Sequence, residues 1–203
     1  MSDVTDPYCF PGTSVLRNKL GFADALTLGG AERDLVELRD VQLKMNPLSG
    51  TYDLSHLREF HRSLFQDVYE WAGELRTVDI VKDSAYFCKS ELIESQAVGI
   101  FAAMNAEGPL SKDVEEAANW LGFHLGEINA LHPFREGNGR AQRALIWQYA
   151  RDGGWNIDWT QVDPDENSAA SWEAMAGSST RLSNLILSVI SPVISPPSAG
   201  YAS

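Results

Sequence analysis

The stretch that decides the reading is His132-Pro133-Phe134-Arg135-Glu136-Gly137-Asn138-Gly139-Arg140-Ala141-Gln142-Arg143. Pro133 disfavours right-handed helical geometry at His132, so a helix arriving there stops. Gly137 and Gly139 let the backbone turn tightly and bring N–H groups close to an anion. The chain after Gly139 reads as a new helix over residues 140–152, broken at Gly153-Gly154. A glycine-rich turn feeding a helix N-terminus suits a phosphate, because unpaired N–H groups and the helix dipole both face the ligand. Arg140 and Arg143 share a helix face near that end. Two cations there oppose the dipole unless a polyanion sits between them.

Each remaining position in the stretch has a chemical reading. His132 is the candidate general base, since an imidazole is largely neutral near pH 7 and accepts a hydroxyl proton. Glu136 is the candidate Mg²⁺ ligand: an acid inside a phosphate loop repels the ligand unless a cation bridges the two. Gly137, Asn138 and Gly139 are expected to form an anion hole from backbone N–H groups and the Asn138 amide. Phe134 reads as an anchor packing the loop on the core. Asn129, one helical turn before His132, is placed to orient it or to touch a nucleotide, and Lys82 to reach phosphate. His56, His61 and His124 have no such neighbours in sequence and read as structural or surface residues.

Working outward, the spacing predicts a helix over 31–45 with Leu35, Leu38, Val41 and Met45 inward. A second helix, capped by Asp53 or Ser55, is predicted to run to about Trp71 on the stripe Leu57, Phe60, Leu64, Val68 and Trp71, with Gly73 ending it. Thr77-Val78-Asp79-Ile80-Val81 reads as a strand, Lys82-Asp83-Ser84 as a turn and 85–88 as the return. Helices are predicted over 90–106 and 113–131, from Asn167 or Ser168 onward, and from Ser179 or Ser183 to about Ile190. Residues 1–14 read as extended with a turn at Pro11-Gly12. The Pro/Ser-rich tail 191–203 reads as flexible. The expectation is a mainly α protein, one domain over 1–190, with a short β-hairpin.

The central stretch fits His-x-Phe-x-Asp/Glu-Gly-Asn-Gly-Arg-x-x-Arg at every specified position and so resembles the Fic-domain signature. Asp6-Pro7-Tyr8 with Pro11-Gly12-Thr13, the run His61 to Arg76, and Thr77 to Ile80 resemble the small bacterial Fic toxins, over about residues 6–190. The resemblance implies a Fic-type helical bundle and transfer of AMP from ATP, with Mg²⁺, to a hydroxyl side chain of a target protein. It implies that the hairpin Thr77–Val81 is a flap aligning a target segment by strand addition. It also implies that Arg140 and Arg143 take the β- and γ-phosphates, Arg143 the latter. Doc-type kinases usually carry Lys or a similar residue where this chain has Gly139, which favours adenylyl over phosphoryl transfer. Other donors, a silent nucleotide-binding module and a host-directed effector are the alternatives. For small relatives the implied target is the ATPase subunits of DNA gyrase and topoisomerase IV. Fic enzymes are commonly held off by a helix carrying Ser/Thr-x-x-x-Glu-Gly/Asn. The nearest approaches here, Ser55 with Glu59-Phe60 and Ser90 with Glu94-Ser95, do not end in Gly or Asn, so a separate small antitoxin is expected.

Composition sets outer limits. The chain has 203 residues, 44% of them hydrophobic, enough for one domain with a substantial core. A net charge of −12 disfavours direct nucleic-acid binding and makes the local run Arg135, Arg140, Arg143 stand out. No run approaches about 18 apolar residues, so no membrane helix is expected. The acidic start shows no signal peptide. Two cysteines, Cys9 and Cys88, read as free thiols in a reducing cytoplasm.

Overall fold

Helix α1 (Ala25–Met45) opens at Asp24, whose carboxylate accepts from the Thr27 N–H. It starts six residues earlier than its periodicity suggests, because Gly29 and Gly30 sit in its first turns and weaken the sequence signal. The computed structural model describes residues 6–82, 85–106 and 108–193, apart from the side chains of Lys82 and Ala85. The buried stripe of α1 is Leu28, Glu32, Val36 and Leu43. Leu38, Val41 and Met45, expected inside, are exposed. The true stripe runs through a glutamate, which an apolar template rejects.

Helix α2 (Leu54–Phe65) is capped by Asp53 and buries Leu57, Phe60 and Leu64, as expected. It ends at Phe65 rather than Trp71. Beyond that point the backbone serves other partners: the Val68 carbonyl accepts from Lys19 N–H, and Asp67 takes a bidentate contact from Arg39 on α1. Gly73 turns the chain at φ +83°, with its carbonyl accepting from Arg58 at 2.7 Å.

The predicted five-residue strand shrinks to β1 (Val81–Lys82), paired antiparallel with β2 (Ala85–Tyr86). Thr77, Val78, Asp79 and Ile80 lie outside it. The Val78 carbonyl is taken by Arg76 and so is not left to a ladder, while the Asp79 carboxylate accepts from the N–H and hydroxyl of Ser90 and fastens the segment there. Residues 83–84 of the expected turn lie outside the described residues.

After one 3₁₀ turn at Ser90–Leu92 come α3 (Ile93–Ala106), α4 (Val114–Leu131) and α5 (Asn138–Asp152). Asp113 caps α4 through the N–H groups of Glu115 and Glu116. Strand β3 (Trp155–Ile157) leads to α6 (Pro164–Met175), α7 (Thr180–Val189) and β4 (Ile190–Pro192). Helix α6 begins at an Asp163 cap with Pro164 in its first turn, a start signal that Asn167 and Ser168 mask in the sequence. Strand β4 pairs with β3, so the first residues of the expected flexible tail belong to a small sheet. Residues 194–203 of that tail lie outside the described residues.

Helix α4 is the axis. It packs against α3, α5, α6 and α7, burying Ala117, Ala118, Leu121, Leu125, Ile128 and Leu131. Close approach is made possible by glycine: a Cβ on Gly122 would fall 2.6 Å from the Ser183 nitrogen of α7. With α4 buried on several sides, its C-terminal end at Leu131 is fixed, and so is whatever follows. The result is the mainly α architecture with a small hairpin that the sequence implies. Both cysteines are free, and among the described residues no helix is long and apolar enough to cross a membrane.

Candidate active site

The loop between α4 and α5 is built from below. His132 caps α4 in the left-handed region, φ 46° and ψ 59°, with its N–H donating to the Ile128 carbonyl at 3.2 Å. Pro133 excludes the right-handed alternative. Phe134, fully buried, stacks on His61 with centroids 3.9 Å apart. Asn138 clasps the Phe134 backbone twice: its Oδ1 accepts from the Phe134 N–H at 2.8 Å and its Nδ2 donates to the Phe134 carbonyl at 2.7 Å. The Asn138 amide therefore holds the loop together, and its contribution to an anion site is left to its backbone N–H. Gly137 turns the chain at φ +80°, where a Cβ would lie 2.3 Å from the Phe65 ring. No side chain caps α5. Its first-turn N–H groups are the unfilled donors of a helix N-terminus.

These donors open into a cavity of about 430 Å³ lined by His132, Glu136, Gly137, Asn138 and Gly139. Asn129 and Gln142 also line it, as do Ile80, Val81 and Phe87 at the hairpin and Asn167, Ser168, Ser171, Trp172 and Met175 of α6. The α6 wall has no motif and was not legible in the sequence.

His132 Nδ1 lies 3.3 Å from the Asn129 carbonyl. A carbonyl only accepts, so Nδ1 carries the proton and the lone pair is on Nε2. The Asn129 side chain is engaged elsewhere, accepting from Gln142 Nε2 at 3.2 Å, so Asn129 orients His132 through its backbone. Phe87 stacks flat on the His132 ring, centroids 3.7 Å apart and planes within 19°.

His61 is also beside the loop, contrary to the sequence reading of its neighbours, though it is structural as expected. Its Nδ1 accepts from the Gly73 N–H at 2.8 Å, which makes Nε2 the donor to the Glu136 carbonyl at 2.9 Å. Burial pushes its pKa down to about 3, so it stays a neutral bridge. The other two histidines, His56 and His124, are buried as well.

The arginines do not all face His132. Arg135 lines the cavity and holds Asp6 through Nε and Nη2, at 2.8 and 2.6 Å, fastening the N-terminal segment to the loop. Burial raises the Asp6 carboxyl, but Arg135 and the Tyr8 N–H outweigh it and hold it below the usual range. Arg140 donates to Glu32 of α1 at 2.6 Å, reaches Glu136 at 3.4 Å and lies over the Phe65 ring. Glu32 also accepts from the Tyr69 hydroxyl, whose pKa burial and that carboxylate push far up. Arg140 and Arg143 line a second cavity of about 270 Å³ toward α1, not the His132 cavity. Gly139 separates the two: a Cβ there would lie 3.3 Å from Arg143 Nη1. Burial lowers the Arg143 pKa, Arg140 adds to this, and Asp40 offsets part of it. Among the described residues no carboxylate forms an ion pair with Arg143.

Glu136 Oε1 accepts from the Gly137 N–H at 2.9 Å. Among the described residues no group of three or more His, Cys, Asp or Glu is arranged to hold a metal. Lys82 lies in β1, and its side chain is outside the described residues.

A family model described as Fic/DOC matches residues 51–150. The chain is 34% identical over 191 residues to the probable protein adenylyltransferase Fic of Escherichia coli, covering 92% of each. The chain belongs to the Fic/DOC family. It is also 44% identical over 182 residues to the protein adenylyltransferase VbhT of Bartonella schoenbuchensis, covering 89% of this chain but spanning only 38% of that longer protein. Among solved structures, the BepC effector of Bartonella tribocorum with bound AMPPNP superposes with a TM-score of 0.84 at 25% identity, covering 91% of this chain and 96% of that one. The family match covers α2 through nearly all of α5, the elements that frame the loop.

The buried His61 bridge predicts an acid limb in stability. Its folded pKa, about 3, lies below the unfolded value near 6.5, so its contribution is complete above pH 6.5 and is lost as pH falls toward 3. The slope from this group is at most about 1.4 kcal/mol per pH unit. Urea denaturation from pH 7 to 4 should show wild type losing stability faster than His61→Gln. Parallel curves would contradict the bridge.

Proposed function

We propose that this chain is a protein adenylyltransferase, moving AMP from ATP to a hydroxyl side chain of a protein. One observation carries the reading: the Nε2-basic tautomer of His132 and the uncapped first turn of α5 face one cavity. His132 takes the proton of the attacking hydroxyl. The oxygen bonds to the α-phosphorus, the bond from that phosphorus to the bridging oxygen breaks, and pyrophosphate leaves. The N–H groups of Asn138 and Gly139, with the loop amides, hold the phosphate charge in place. The nucleoside end lies against α6, where Trp172 offers a ring and Ser168, Ser171 and Asn167 offer hydrogen bonds. Arg140 and Arg143 act on the β- and γ-phosphates from behind Gly139. Lys82 on the hairpin is a further phosphate contact, and the edge at Ile80 and Val81 is the docking rail for the target segment.

Glu136 fits a Mg²⁺ site, because it lines the cavity and one carboxylate with phosphate oxygens and water is a usual provision for that ion. When bound, Mg²⁺ neutralises phosphate charge. The glycine at 139, where Doc-type kinases usually carry Lys or a similar residue, supports adenylyl over phosphoryl transfer.

The physiological reading is a cytoplasmic toxin held by a small antitoxin, with the ATPase subunits of DNA gyrase and topoisomerase IV as targets. Two things support the antitoxin: the absence of a Ser/Thr-x-x-x-Glu-Gly/Asn segment, and a half-buried Arg143 that pairs with no described carboxylate. A glutamate supplied from outside would make the bidentate contact that guanidinium favours.

Incubating a bacterial lysate with the protein and α-labelled ATP should label a protein band. His132→Ala should lower labelling by roughly 10²- to 10⁴-fold while nucleotide affinity stays close to wild type. Transfer of γ-label instead would make it a kinase, and no transfer a silent module. Expression alone in bacteria should arrest growth with wild type and not with His132→Ala. Growth at the normal rate with soluble, active wild-type protein would overturn the toxin and antitoxin reading.

A further inference from the structure

Arg76 has a fully buried side chain, yet its nearest carboxylate, Asp79, stands 3.8 Å away and is largely exposed. A buried guanidinium keeps its charge only if its donors are satisfied. Here they go to main-chain carbonyls. Nε donates to His132 at 2.8 Å, Nη1 to Val78 at 2.7 Å and Nη2 to Cys88. The Arg76 backbone N–H donates to Pro133 at 2.9 Å. Val78 and Cys88 flank the two roots of the hairpin. His132 and Pro133 begin the loop. One side chain thus ties both ends of the hairpin to the residue that carries the base.

The consequences reach the reacting atoms. His132 is a non-glycine residue in the left-handed region, a conformation that persists only when its surroundings hold it. Its N–H is held by Ile128 and its carbonyl by Arg76. Cys88 is held twice, its carbonyl by Arg76 and its N–H by Ala130 of α4 at 3.0 Å. That fixes the preceding residue, Phe87, whose ring stacks on His132, and the Phe87 N–H donates to Ile80 on the rail.

We propose that Arg76 is a positioning residue that couples the hairpin rail to the His132 ring, setting the distance between a docked acceptor and the base. The inference rests on the adenylyl-transfer reading for its function, but the coupling itself is observable without turnover. It assigns Arg76 no contact with substrate. Lysine cannot replace it, because an ammonium does not span three carbonyls that a planar fork reaches together.

The test compares wild type, Arg76→Lys and Arg76→Met. Histidine ring signals and hairpin amides are followed by NMR, AMPPNP affinity by calorimetry, and transfer by α-label. In Arg76→Lys the His132 ring and the Val81 and Tyr86 amides should shift and broaden, while His56 and His61 stay put. AMPPNP affinity should change by less than about twofold, and transfer to protein should fall by roughly 10- to 100-fold. Arg76→Met should show the same pattern more strongly. Unchanged His132 and hairpin signals would overturn the proposal. So would all four histidines moving together with a large loss of melting temperature, which marks a merely structural role. A wild type that transfers no label would sink the adenylyl-transfer reading and leave the coupling to be judged by the ring signals.

Discussion

Asn138 closes two hydrogen bonds on the backbone of Phe134, and the site depends on that clasp. It fixes the span between the end of α4 and the start of α5. Everything nearby reinforces the same geometry. His61 holds the Glu136 carbonyl, the Phe65 ring leaves room only for glycine at 137, and Phe134 is buried with its ring stacked on His61. A loop so constrained loses little freedom when an anion arrives, so the first-turn donors of α5 act as a preorganised site rather than a flexible one. The axis helix supplies the other half of the constraint: α4 is packed against four other helices, so the position of His132 is set by the core.

Charge is distributed around this loop in an ordered way. Arg135 is held by Asp6, Arg140 by Glu32 and Arg76 chiefly by carbonyls, while the half-buried Arg143 beside Gly139 has no described carboxylate paired to it. The three held cations fix the frame. The fourth has no such partner among the described residues and lines the second cavity toward α1.

The loop chemistry was legible because it is local. His132 through Arg143 contains the helix stop, the turn glycines and the new helix start within twelve positions, and each is a short-range rule. The long α4 was legible over 113–131, close to its observed span Val114–Leu131. What failed was non-local. The buried face of α1 runs through Glu32, which is tolerable only because Tyr69 and Arg140 lie across from it. Thr77 to Asp79 look like a strand, but the Arg76 side chain takes the Val78 carbonyl that a ladder would use. His61 is 71 positions from His132 in the chain, so no spacing rule brings it to the loop. The α6 wall is set by how α6 packs on α4, and its polar residues read in sequence as an ordinary helix start. The two motif arginines share a helix face as their spacing requires, yet which cavity that face meets is decided by the placement of α1.

The central claim is that a preformed loop presents α5 amides and His132 to one nucleotide. Backbone amide shifts recorded while AMPPNP and Mg²⁺ are added test it most directly. Large shifts are expected at Gly137, Asn138, Gly139 and Arg140 and at the α6 residues Ser168 to Trp172, with the Asn138 side-chain amide signals little changed because the clasp persists. Shifts confined to the α1 side of α5, around Arg33, Lys44 and Trp147, with the loop amides unmoved, would contradict it.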